Sequence, residues 1–97
     1  MIQVSWHPHA VRELFEASDF YESESNGLGS IFLETVENAL ERLRTYPLAT
    51  TKLQGNQRKL VLPRFPYSIV LHLRGSQLRV LAVAHHKRRP RYWRRRR

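Results

Sequence analysis

The spacing of apolar residues changes twice along the chain and predicts its elements. Leu28, Ile31, Phe32, Val36, Ala39, Leu40 and Leu43 recur at i, i+3, i+4 and i+7, with Thr35 on the same stripe. That interval predicts an amphipathic helix. Glu34, Glu37, Glu41 and Arg44 fall off the stripe, and Pro47 ends it by driving Tyr46 out of helical conformation. A helix is also predicted from Pro8 to about Ser25, with Val11, Leu14, Phe15 and Tyr21 on one face and Ala10 and Ala17 beside it. Pro8 suits a first helical position, where its missing N–H costs nothing. Arg12, Glu13, Glu16, Asp19 and Glu22 are placed mostly away from that face. Ser25-Asn26-Gly27 supplies the turn and side chains to cap the second helix. So short a connection makes the pair an antiparallel hairpin.

Elsewhere the period is two. Ile2–Trp6 alternates and holds β-formers, which predicts a first strand. Residues 48–57 carry a Gly-Asn turn signal and no long pattern, so a loop is expected. Arg58–Leu62 predicts a strand ended by Pro63. Tyr67–Arg74 predicts another, with Tyr67, Ile69, Leu71 and Leu73 on one face. Gly75-Ser76 has the composition of a hairpin turn. Gln77–His85 alternates Leu78, Val80, Ala82 and Ala84 against Arg79, Leu81 and Val83. It is apolar on both faces in its second half, as in a central strand covered on both sides. Small Ala82 and Ala84 are expected to let a helix approach closely, and nothing after His86 is expected to add core. The order β-α-α-β-β-β predicts an α+β domain, a helical hairpin on a small, mostly antiparallel sheet. Residues 1–93 form one domain on this reading, and Arg94–Arg97 a disordered basic tail.

Charge adds what the pattern does not carry. The chain of 97 residues has a net charge of +9 from 17 basic and 8 acidic residues. Every acid lies between Glu13 and Glu41, whereas residues 51–97 contain none. A half so basic implies an anionic partner, either nucleic acid or an acidic protein. The absence of cysteine excludes disulfides, thiolate zinc sites and a cysteine nucleophile. No apolar run reaches the roughly 18 residues of a membrane span, and the N-terminus lacks the regions of a secretory leader. A cytoplasmic protein that does not enter membranes is expected.

Candidate chemistry gathers after the last strand. Lys87, Arg88, Arg89, Arg91 and four terminal arginines surround Tyr92 and Trp93. Arginine forks suit phosphate or carboxylate, while the rings either stack on bases or pack back on the sheet. His7, His9, His72, His85 and His86 have no carboxylate or cysteine at ligand spacing, so no metal or other cofactor is expected. For phosphodiester transfer within RNA, His86, Tyr92 and Arg88 or Arg64 are the candidate base, acid and cation. Adjacent residues of a strand face opposite ways, so only one of His85 and His86 can serve.

Several of these residues together resemble the RelE/ParE toxin superfamily. They are Pro8-x-Ala10, the helix end Tyr46-Pro47, Arg58-Lys59, Arg64-Phe65-Pro66-Tyr67 and the ending from Ala82 through His85-His86-Lys87-Arg88-Arg89-Pro90-Arg91 to Tyr92-Trp93. The resemblance implies a toxin of a type II toxin–antitoxin pair, of the plasmid-stabilisation kind, held in a hetero-oligomer by an acidic antitoxin. One branch resembles a ribosome-dependent mRNA endonuclease; the ParE-like branch blocks DNA gyrase without known nuclease activity. Lys59, Arg88 and Tyr92 match positions of the nuclease branch. Two further basic positions of that branch fall on Val61 and Ser68, which cannot hold a phosphate or a developing charge as arginine does. The expectation is therefore a ParE-like, non-enzymatic gyrase inhibitor. A ribosome-dependent nuclease acting through Lys59, Arg64, His86, Arg88 and Tyr92, and a plain nucleic-acid binder, are the alternatives. The target- or antitoxin-binding surface is expected at Arg58, Lys59, Arg64, His85, His86, Lys87, Arg88, Arg89, Arg91, Tyr92 and Trp93.

Overall fold

A computed structural model describes all 97 residues. Strand β1 (Gln3–Trp6) leads into helices α1 (Pro8–Glu24) and α2 (Leu28–Thr45), followed by β2 (Thr51–Lys52), β3 (Gln57–Val61), β4 (Tyr67–Arg74) and β5 (Gln77–His85). The five strands form one sheet in the order β1-β5-β4-β3-β2. β1 runs parallel to β5, and every other pair is antiparallel. The α+β architecture and element order are those the pattern predicts. The one addition is β2, two residues inside the expected loop, paired with Arg58 and Lys59. A strand so short leaves no periodic trace.

The helical hairpin covers one face. Its core joins Phe32, Val36, Leu40 and Leu43 of α2 to Ile69, Leu71, Leu78, Val80 and Val83 of the sheet. Phe65 is buried among Tyr21, Phe32 and Tyr67, with ring centroids 4.9 Å from Tyr21 and 5.1 Å from Phe32. The inward stripe of α1 differs from expectation: Ala10, Leu14, Ala17, Ser18 and Tyr21 face the core or α2, whereas Val11 and Phe15 are exposed, Phe15 at 52%. The small residues win that face because α1 lies close against its neighbours. Gly29 marks the tightest approach, since a Cβ there would meet the Ser18 carbonyl oxygen at 2.5 Å.

The start of α2 is also built differently. Gly27, at φ 87°, gives it no side-chain cap. Instead the Glu22 carboxylate of α1 accepts from the N–H groups of Gly27 (2.9 Å) and Gly29 (3.0 Å). It thus serves the unpaired amides and the positive end of the α2 dipole.

One irregularity decides what the other face of the sheet carries. Val70 pairs with Ala82 but Leu71 pairs with Val80, so Leu81 is an extra residue, a β-bulge. The slip moves Val83 to the helix side and turns Ala82 and Ala84 outward, beside Leu81 and Val70. The two alanines therefore do not receive a helix. They receive the C-terminal segment, whose Tyr92 and Trp93 pack over this second cluster together with Leu53. The core accordingly continues past His86, where none was expected. No helix is long and apolar enough to cross a membrane.

Candidate functional site: a cationic pocket under a C-terminal strap

The outer face carries the site. Val61, Ser68 and Ala84 lie side by side across β3, β4 and β5, one row from Lys59, Val70 and Ala82. Over this floor the chain leaves β5, turns at His86–Arg88 and crosses back as a strap ending in Arg94–Arg97. The two enclose a pocket of about 300 Å³ lined by Lys59, Val61, Ser68, Ala84, His85, His86, Arg88, Pro90 and Trp93. Its rim is cationic and one wall is aromatic, a setting for an anionic group beside an apolar or planar one.

Not all the expected residues meet there. Lys59, His85, His86, Arg88 and Trp93 do. The ring of His86 shares a hydrogen bond with Ser68, Oγ to Nε2 at 3.0 Å. His85 packs edge-on against Tyr67 at 4.9 Å, and its Nδ1 accepts from the Lys87 amide. Arg58 is spent on the neighbouring loop, donating to the Thr50 hydroxyl at 2.6 Å. Arg64 sits outside the pocket in the turn before β4, with a left-handed φ of 71°. Lys87 and Arg89 point to solvent, and Arg91 reaches Gln54 from another left-handed position, φ 62°. No three histidine or carboxylate side chains are grouped to hold a metal ion.

Tyr92 does not line the pocket. Its hydroxyl donates to Glu13 Oε2 at 2.8 Å, while the Arg88 guanidinium lies 4.0 Å from its ring centroid. Burial, and then the bond to the Glu13 carboxylate, push the phenol far above its ordinary value of 10.0. A phenol so placed neither takes up nor releases a proton readily.

Glu13 is the residue that the sequence reading missed. Its side chain is only 11% exposed. Besides Tyr92 it accepts from Arg96 Nη1 (2.9 Å) and Nη2 (3.1 Å) and from the Val83 amide (3.0 Å), with Arg88 Nη1 at 4.0 Å. Ala10, Glu13 and Ala17 stand at i, i+3 and i+7. One carboxylate on an inward stripe of small residues was the available signal. Of the four terminal arginines, expected as a disordered tail, Arg96 has this defined place and also donates to the Leu81 carbonyl at 3.0 Å.

Two comparisons bear on identity. The chain of the "Chromosomal ParDE TA system from P. aeruginosa" has the same fold, with a TM-score of 0.61 at 19% sequence identity over 88% of this chain and 96% of that one. No curated protein matches the sequence. The model of the family described as "ParE toxin of type II toxin-antitoxin system, parDE" matches residues 4–90. That span takes in both helices, four strands, all of β1 but Gln3, and the pocket floor, and so the chain belongs to the ParE toxin family of type II toxin–antitoxin systems.

Proposed function

We propose that this toxin acts by docking its cationic outer face onto DNA gyrase, and that an acidic antitoxin neutralises it. The observation that carries this reading is the state of Tyr92: its hydroxyl is committed to Glu13 rather than to the pocket. The pocket floor beneath is Val61, Ser68 and Ala84, which offers no cation to a pentavalent phosphorus. What remains is a charged rim with an aromatic wall, which favours binding over bond cleavage. In a supercoiling assay containing purified gyrase, DNA and no ribosome, the toxin is expected to block supercoiling. Untouched supercoiling with arrested translation would overturn the reading.

One observation favours a second reading: Lys59, His86 and Arg88 do share the pocket. On that reading the protein cuts message in the ribosomal A site, and Arg88→Ala abolishes cutting.

The antitoxin reading rests on charge and on apolar surface. The +9 chain calls for an acidic partner. A groove of about 460 Å³ between β1, α1 and α2 leaves Trp6, Leu14, Phe15 and Leu33 at least partly exposed for it to cover. Free partner at a hundred times its dissociation constant raises stability by about 2.7 kcal/mol. A melting temperature unmoved by the acidic protein encoded beside the toxin would remove this part of the reading.

A further inference from the structure

β1 covers only half of its neighbour. Its last backbone bond to β5 runs from the His7 N–H to the Val80 carbonyl at 2.8 Å, and α1 then leaves the sheet plane. Beyond that point two side chains take the place of a strand. Glu13 accepts from the Val83 N–H, and Arg96 donates to the carbonyl of the bulged Leu81. The same two side chains are paired with each other through two hydrogen bonds, and both are nearly buried, at 11% and 15% exposure. With Tyr92 added, Glu13 accepts four hydrogen bonds, about the full capacity of a carboxylate. Arg88 and Arg96 lie over the Tyr92 ring, 4.0 and 5.0 Å from its centroid. Two side chains of the strap, Tyr92 and Arg96, therefore converge on one carboxylate of α1, while the opposite side of the strap, Arg88 and Trp93, forms the wall of the cationic pocket.

We infer that Glu13 is a positioning residue of the docking surface: by latching Tyr92 and Arg96 it sets where Arg88 and Trp93 stand over the sheet. The inference rests on the docking reading, since it asks what shapes the surface that meets the target. Glu13 touches no target itself. It spends the negative charge of α1 on Arg96, so that Arg88, farther away at 4.0 Å and exposed, keeps its guanidinium available to an anionic partner.

The test is a double-mutant cycle on the full-length toxin with Glu13→Gln and Arg96→Gln, read in two ways. The first is release of the peptide after Arg91 by trypsin under native conditions, which follows the population of detached strap. Each single variant is expected to release it about ten- to a hundredfold faster, the change that follows loss of a hydrogen bond to a charged group. The double variant is expected to fall short of the product of the two single increases, because both changes break the same Glu13–Arg96 pair. The second readout is the concentration of toxin that half-inhibits gyrase supercoiling, measured where circular dichroism finds every variant folded. It is expected to rise in both single variants, and again by less than their product in the double. Should Glu13→Gln fail to fold, Arg96→Gln leaves the Val83 and Tyr92 bonds to Glu13 intact and carries both readouts alone. Unchanged tail release, or released tails with unchanged inhibition, overturns the inference. If the unaltered toxin leaves gyrase untouched, the docking reading fails, and the trypsin cycle still decides whether Glu13 latches the strap.

Discussion

Ser68 Oγ lies 3.0 Å from His86 Nε2, tying the second residue of β4 to the first residue beyond β5 on the floor of the cationic pocket. The serine is buried and the histidine is exposed. Ser68→Ala therefore leaves the imidazole free to find water and strands no buried group. The expected loss is about 0.5–1.5 kcal/mol, that of one ordinary hydrogen bond. Urea denaturation checks it. A loss above about 3 kcal/mol would mean that Ser68 holds more than the ring.

Trp93 covers Val70, Leu81, Ala82 and Ala84 without being fully buried. Trp93→Ala is expected to cost about 1–2 kcal/mol, less than the ~3–5 kcal/mol of a fully buried tryptophan. Val70→Ala removes a completely buried side chain from the same cluster. The two losses should fall short of their sum when combined, because both open one small core. Calorimetric melting of the four proteins provides the comparison.

Gly29 sits in the first turn of α2, where alanine normally favours a helix. Here a methyl group would stand 2.5 Å from the Ser18 carbonyl oxygen and 3.0 Å from the Glu22 side chain, so the helices must part or Glu22 must release its cap. Gly29→Ala is expected to destabilise by about 1–3 kcal/mol, as overpacking does, despite the better propensity. A stabilised variant in equilibrium unfolding would show that the hairpin can open at no cost.

Acid should weaken the fold through two histidines. Burial, helped by Arg74 and Arg79, lowers the pKa of His72 below 6.5, and its Nε2 has no hydrogen-bond partner. Burial, then Arg96, His9 and Arg79, lower His7 too, although Glu13 opposes them. His7 caps α1 by accepting the His9 N–H on Nδ1, so a proton there removes the cap. The unfolded chain takes up these protons first as pH falls below about 6.5, so stability is constant above that value and declines beneath it. His72→Leu should reduce the slope of stability between about pH 6.5 and 5. A slope unaltered by that change would assign the acid sensitivity to other groups.

How much of this was legible in the sequence varies by element, and for physical reasons. Both helices and the three long strands follow from periodicity, because each buries one face against a continuous core. The two-residue β2 does not, since a pattern needs more positions than it has. The face of α1 was misread in favour of its larger residues: Val11 and Phe15 lie outside, and the close approach at Ala10, Ala17 and Ser18 sets the orientation. At the site, the cations around the pocket stand out as charge. Their grouping depends on a strap whose course no local pattern encodes, held by a carboxylate 79 residues away from the tyrosine it binds.

The bulge at Leu81 has a consequence for how β5 tolerates change. A strand with one extra residue is read in two frames, Leu78 and Val80 in the first, Val83 in the second. Deleting Leu81 would remove the extra residue and join the frames with Val80 and Val83 still inward and both alanines still outward, at the loss of one buried side chain. Deleting Val83 instead would bring an alanine to the helix side in its place, and should do more harm than deleting Leu81 or any conservative exchange within the strand. The face that carries the cationic pocket is thus specified by a count of residues as much as by their kind.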